Sequence, residues 1–170
     1  LLTLAYQTDF EEYHERKQTE MFLRCKMYSQ KNVEYYLRDL YECALSQAKS
    51  VEDYRAWFEL AEKKATIDVT AVEHNVDIDT SELNRTFCAY AMENFGKLSS
   101  EINPESPVLV SSVMDYIHDH SEKAAIIVMD GMSEFDWTIL KRSFAGICYR
   151  QSAAFAMIPS TTSISRQCLL

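Results

Sequence analysis

Apolar residues recur at helical spacing in the first part of the chain. Two sets stand at i, i+3, i+4, i+7 and i+11, the spacing of one face of an α-helix. They are Val33, Tyr36, Leu37, Leu40 and Ala44, and then Tyr54, Trp57, Phe58, Ala61 and Ala65. Ser50 precedes the second set, and its hydroxyl can accept hydrogen bonds from the free N–H groups of a first helical turn. The pattern therefore predicts two amphipathic helices, the second beginning after Ser50.

A third helix is predicted to begin near Asp79 or Ser81 and to end at Gly96, because glycine suits the left-handed position that follows many helices. The residues before it, 67–79, fit either a helix or, in their last part, a short strand. Pro104 and Pro107 then interrupt the chain, and another helical face follows. That face consists of Val110, Val113, Met114 and Ile117.

The pattern changes after His120. Residues 124–129 are continuously apolar, which is typical of a parallel strand buried on both faces, and the run ends at Asp130-Gly131. Ser133 and Asp136 have the spacing of a capping box at the start of a helix. A second apolar run, 153–158, stops at Pro159. We therefore expect a mainly α chain whose C-terminal portion is α/β and begins with a strand-helix-strand unit.

Glycine and proline are scarce, with three of each among 170 residues, where average usage gives roughly twelve and nine. This scarcity argues against sandwiches, barrels and propellers, which need many tight turns. None of the six lies before Gly96. The expected organisation is a helical region over residues 1–103 and a second domain that starts at residue 104.

Charge and apolar content exclude several classes of protein. The net charge of −9 and the lack of a basic cluster argue against direct binding of nucleic acid. The longest apolar run has about six residues, far below the ~18 that span a membrane, and no signal-like segment opens the chain. We therefore expect a cytoplasmic protein without a membrane partner. The five cysteines are odd in number and widely spaced, so we expect reduced and mostly buried thiols.

Two segments that follow the predicted strands carry candidate chemistry, because ligands of open parallel sheets bind beyond the carboxyl ends of the strands. The first ends at Asp130, and the second, residues 159–166, carries several hydroxyls and Arg166. A carboxylate facing hydroxyls suggests a metal-assisted nucleophile. The plainer alternatives are an Asp-Gly turn, a Ser/Thr helix cap, and pairing of Arg166 with a surface acid.

The segments AIIVMDGMSEFDW and AMIPSTTSISRQCLL resemble the opening of the PglZ domain. This domain is a member of the alkaline phosphatase superfamily found in bacterial phage-defence systems of the BREX and phage-growth-limitation types. The resemblance covers residues 123–170. It implies a hydrolase fold with a central sheet and a site for two divalent metal ions, usually zinc. It also implies a metal-dependent phosphatase or phosphodiesterase that acts on a phosphate ester alongside other phage-defence proteins.

The resemblance further assigns roles to residues. It implies that Asp130 binds a metal ion and that Thr162, three residues after the proline, is the nucleophile and a metal ligand. Thr161 is the weaker candidate for the nucleophile, and Arg166 is expected to contact a phosphate. The family's other Asp and His ligands lie beyond the matched segments. We therefore expect the chain to be the first part of a longer domain and to be inactive by itself.

His118 and His120 do not complete such a metal site. Side chains two residues apart on a helix point about 200° away from each other, so we expect these histidines at a helix C-terminus instead. A second hypothesis concerns residues 1–120, which are acidic and predicted to be helical. It proposes a module that docks partner proteins in a defence complex, with the second domain serving as a scaffold without hydrolytic activity.

Overall fold

The computed structural model describes residues 30–169. These residues are mainly helical, as the sequence pattern predicts. Six α-helices are present among them: α1 (Gln30–Ala48), α2 (Ala56–His74), α3 (Ser81–Ser100), α4 (Val113–His120), α5 (Glu134–Leu140) and α6 (Thr162–Leu169). Two short 3-10 helices cover Val110–Ser112 and Lys141–Phe144. The chain divides into two compact units between Arg85 and Thr86, within α3. The domain expected to start at residue 104 is the PglZ-like domain, and its start there stays a prediction.

The first unit is built on a hairpin of α1 and α2. Val33 and Leu37, near the start of α1, form one buried cluster with Ile67 and Ala71, near the end of α2. Because the first turns of one helix meet the last turns of the other, the two helices run antiparallel. Partly buried Tyr36 packs against this cluster, and its burial raises the pKa of the phenol.

The start of α2 differs from the prediction. The helix begins at Ala56, and the Ser50 hydroxyl donates to the carbonyl of Gln47 at 3.1 Å, at the end of α1. Asp53 instead accepts from the backbone N–H of Arg55 at 2.9 Å. Such local side-chain bonds compete with helix formation. Ser50 therefore stabilises the end of the first helix and does not cap the second.

The ambiguous residues after position 67 are helical as far as His74. Asn75 adopts the left-handed conformation with φ of 52°, and the N–H of Val76 donates to the carbonyl of Ala71 at 2.8 Å. This arrangement ends α2. The short strand considered for residues 76–79 is not present.

Helix α3 begins where the sequence predicts and runs further than expected. The Asp79 carboxylate accepts from the Ser81 N–H at 2.9 Å, and the hydrogen bonds from the backbone and side chain of Ser81 hold the pKa of Asp79 below its ordinary value. The prediction that Gly96 ends the helix is wrong, because α3 continues to Ser100. Leu98 in this last turn is buried, and the burial of its side chain favours the additional helical turn.

The expected strands of the second unit are not formed as a sheet among the described residues. Residues 124–129 are exposed and have no regular secondary structure. A strand needs a neighbouring strand to pair its backbone N–H and C=O groups, and this segment has none among the described residues. The run 153–158 makes one parallel bridge, in which Phe155 donates to Val108 at 2.8 Å and accepts from Val110 at 2.9 Å. The helix between the two runs is present, whereas the α/β part of the predicted fold is not shown.

That intervening helix, α5, has the predicted capping box. The Ser133 hydroxyl accepts from the Asp136 N–H at 3.2 Å, and the Ser133 N–H donates to the Asp136 carboxylate at 2.9 Å. Trp137 on this helix contacts Phe144 and Tyr149 edge to face, with ring centroids 5.7 and 6.2 Å apart. Local hydrogen bonding and aromatic packing therefore define this helix.

The cysteines differ in part from expectation. The four that the structure describes are free thiols, but Cys43, Cys88 and Cys148 are exposed and Cys168 is half-buried, so the prediction of mostly buried thiols is wrong for them. Cys25 lies outside the described residues. Within residues 30–169, no helix combines the length and the apolar character that crossing a membrane requires.

Candidate functional site

Asp130 lies in a tight turn directly after the apolar run. Gly131 follows it with φ of 72°, a left-handed conformation that glycine adopts without steric cost. This backbone reversal leads into Ser133 and α5. The structure therefore shows an Asp-Gly turn, the plainer alternative, and the predicted strand before Asp130 is not formed.

Thr162 is the first residue of α6. The carbonyl of Thr161 accepts from the Ser165 N–H at 2.9 Å, so Thr161 occupies the position that precedes the helix. The hydroxyls of Thr161 and Ser163 lie 3.3 Å apart. Thr162 is exposed at the N-terminal end of the helix, where the helix dipole favours negative charge. Thr161, at the position that caps the helix, and Thr162, the candidate nucleophile, are thus neighbouring residues.

Arg166 connects the two candidate segments. One Nη atom of its guanidinium donates to the Asp130 carboxylate at 2.8 Å. Thr162 and Arg166 are four residues apart on α6 and therefore share a face of that helix. The pair therefore joins the Asp130 turn to α6, the helix that begins with Thr162. No hydrogen bond joins Thr162 to Asp130 in the part of the chain that the structure describes.

The metal ligands implied by the resemblance are not assembled here. No group of three or more His, Cys, Asp or Glu side chains suited to a metal ion occurs within residues 30–169. A two-metal site needs several ligands, whereas the candidate segments supply Asp130 and Thr162, and Asp130 already has a guanidinium beside it. The described residues do not by themselves fit a pair of divalent ions.

The two histidines considered as ligands lie at the end of α4, where the sequence places them. His120 contacts the Tyr116 carbonyl through Nδ1 at 2.8 Å, and its ring stacks on that of Tyr116 with centroids 4.1 Å apart. His118 faces the neighbouring Asp119 at 3.3 Å. Both rings therefore interact within their own helix.

A cleft that the sequence pattern does not predict lies beside residue 160. Helix α3 forms one wall through Phe87, Ala91, Phe95 and Leu98, and residues 155–158 with Ser160 form the other; we call it the apolar cleft. Its volume is about 120 Å³. The rings of Phe87 and Phe155 are nearly parallel, with centroids 6.2 Å apart. The signal in the sequence is the apolar set at positions 87, 91, 95 and 98, which on its own predicts only a buried helix face.

Comparisons with known proteins add no relationship. No family model, no curated protein and no solved structure matches the chain.

Proposed function

We propose that this chain supplies the first part of a PglZ-like domain, a metal-dependent phosphatase or phosphodiesterase that serves in phage defence. The observation that carries the proposal is the contact of Asp130 with Arg166, which lies one helical turn after Thr162 on α6. A carboxylate, a hydroxyl and a guanidinium are a suitable set of groups for a phosphate ester. The three residues were singled out from two separate sequence segments.

The proposed roles follow from the chemistry of each side chain. Thr162 Oγ1 loses its proton to solvent and forms a bond to phosphorus, and the bond from phosphorus to the leaving alcohol oxygen breaks as that oxygen takes up a proton from solvent. Water then displaces the phosphate from Thr162. Arg166 binds a phosphate oxygen, because its planar guanidinium matches phosphate geometry. Activation of the Thr162 hydroxyl requires groups other than those in residues 30–169.

The proposal includes two divalent ions, zinc by resemblance, with Asp130 as one ligand and Thr162 as another. The resemblance places the remaining ligands outside the matched segments. The 170 residues by themselves are therefore expected to bind zinc weakly and to show negligible hydrolysis. Calorimetric titration of this chain with zinc measures the first expectation, and a tight stoichiometric site would contradict it.

The proposal also includes an α/β fold, in which residues 124–129 form a strand of a central sheet. Its support is an exposed apolar segment: Ile126, Ile127, Val128 and Met129 expose 44%, 85%, 57% and 53% of their surface. Apolar side chains on both faces of a strand are typical of the interior of a parallel sheet. In the complete domain, neighbouring strands would pair with this segment and cover it.

The decisive experiment measures hydrolysis of a chromogenic phosphodiester with added zinc or manganese. The protein used carries this chain followed by the rest of its domain. Thr162→Ala is expected to lower the rate by more than about a hundredfold, as removal of a nucleophile does. Thr161→Ala is the matched control and should retain most of the activity. Equal rates for the wild type and Thr162→Ala would refute the role of Thr162.

A second candidate function is docking of other phage-defence proteins on the helical hairpin. The observation that favours it is the exposure of Tyr35 and Val72, at 70% and 69%, on a hairpin that has its own core. Large exposed apolar side chains are common at protein interfaces. Asp substitutions at both positions should abolish co-purification with a partner, and Thr162→Ala should not. If the complex still assembles when Tyr35 and Val72 are both replaced by Asp, docking through these two side chains is wrong.

A further inference from the structure

We infer that the apolar cleft binds a single aromatic ring in the leaving group of the phosphate ester. The inference rests on the proposed function, because the ester is the substrate proposed for Thr162. It adds a substrate class, aryl phosphate esters, and assigns Ala91 and Ala156 a role in specificity.

The size of the cleft matches one ring. Its volume of about 120 Å³ is close to that of an engineered apolar cavity of about 150 Å³ that holds benzene. Ala91, Leu98 and Phe155 are less than a tenth exposed, whereas Phe87 and Ile158 are 36% and 43% exposed. The first three therefore form the floor of the cleft and the last two its solvent side. A ring would enter from the solvent side.

The chemistry of the walls favours an apolar and aromatic occupant. No charged side chain is among the described residues that line the cleft, and Ser160 is its one polar residue. The parallel rings of Phe87 and Phe155 present aromatic surface, and aromatic rings pack favourably against one another. A phosphate group would therefore remain outside the cleft.

Chain geometry links the cleft to the candidate nucleophile. Ser160 lines the cleft and Thr162 begins α6 two residues later, and two residues span at most about 7 Å. Arg166 lies on the same face of α6 as Thr162. The candidate nucleophile therefore lies on the residues that directly follow the lining of the cleft, close enough for the phosphoryl group of one ligand to reach it.

The test uses binding of two non-hydrolysable probes, phenylphosphonate and methylphosphonate, to the 170-residue chain, measured by ligand-observed NMR. The wild type is expected to bind the phenyl compound at least about tenfold more tightly, because only that compound buries a ring. Equal affinity for the two probes, or no binding of either at millimolar concentration, would overturn the inference.

Variants locate the ring. Ala91→Leu fills the floor of the cleft and should remove the preference for the phenyl compound. Ala89→Leu makes the same change at an exposed position of the same helix and should leave the preference intact. Ala156→Leu is a second filling variant at an exposed lining residue, where misfolding is not expected. Retention of the preference in both filling variants would refute the site.

The same probes separate this inference from the proposed function. Thr162→Ala removes the hydroxyl and leaves the walls of the cleft unchanged. It should therefore keep the preference for phenylphosphonate in the 170-residue chain and lose hydrolysis in the protein that carries the rest of the domain. If Thr162→Ala retains hydrolysis, the proposed nucleophile is wrong, and the binding preference still decides whether the cleft holds a ring.

Discussion

Arg166 and Asp130 are 36 positions apart in the chain, and the guanidinium of Arg166 donates to the Asp130 carboxylate at 2.8 Å. The sequence left two interpretations of Arg166 open, a contact with phosphate and pairing with a surface acid. The acid it pairs with is the other candidate site residue. The pairing places the Asp130 side chain beside Arg166 of α6 and so brings a residue of each predicted site segment into contact.

This ion pair is expected to contribute little to stability. The side chains of Arg166 and Asp130 are 66% and 36% exposed, and exposed pairs contribute about 0–1 kcal/mol. A double-mutant cycle with Arg166→Gln and Asp130→Asn, measured by urea unfolding, should give a coupling free energy below about 1 kcal/mol. A coupling of several kcal/mol would instead assign the pair a structural role.

The capping box of α5 should stabilise its helix and create a pH dependence. The hydrogen bonds from the Ser133 hydroxyl and then its N–H lower the pKa of Asp136. A lowered pKa in the folded state adds stability that is present above the unfolded pKa and is lost as pH falls through the folded value. Stability should therefore decrease on acidification below the ordinary pKa of an aspartate.

Ser133→Ala tests that relationship. It removes the bond that the hydroxyl makes to the Asp136 N–H and should cost about 1 kcal/mol of unfolding free energy at neutral pH. NMR titration should show the pKa of Asp136 rising towards its ordinary value. Ser143→Ala, at an exposed serine beyond α5, is the control. An unchanged Asp136 titration in Ser133→Ala would contradict the assigned cause.

Two valines of the hairpin allow a matched test of the core. Val33 is 3% exposed within the buried cluster, and Val72 is 69% exposed on α2. Val33→Ala should lower the free energy of unfolding by about 2 kcal/mol, from lost burial and a small cavity. Val72→Ala should change it by less than about 0.5 kcal/mol. Thermal and urea unfolding measure both changes. Equal losses of stability in Val33→Ala and Val72→Ala would contradict the assignment of Val33 to the core.

Two glycines should respond to alanine in opposite directions. Gly131 has φ of 72°, and an added Cβ there meets no atom within 4 Å, so the cost of Gly131→Ala is the backbone conformation alone, about 1–2 kcal/mol. Gly96 lies inside α3, also with open space around an added Cβ. Gly96→Ala should stabilise the protein by about 0.5–1 kcal/mol. Stabilisation by both substitutions in urea unfolding would argue against the left-handed turn at Gly131.

Much of the helical structure is predictable because it depends on local chemistry. The spacing of Val33 and Leu37 predicts the buried face of α1, and Ser133 with Asp136 predicts the start of α5. The errors occur where competing interactions decide, as at Ser50, which bonds backwards to α1. Gly96 suggests a helix end by its own preference, but the burial of Leu98 outweighs that preference.

Residue types and local spacing determined that the chain is mainly helical, and they marked Asp130, Thr162 and Arg166 as the residues with candidate chemistry. Tertiary structure alone decided which of them meet, because the contact of Asp130 with Arg166 joins positions far apart in sequence. It also decided that residues 124–129, with no paired neighbour in the described chain, form no strand, since strand pairing is a property of two segments. The apolar cleft is likewise a product of packing between α3 and residues 155–160.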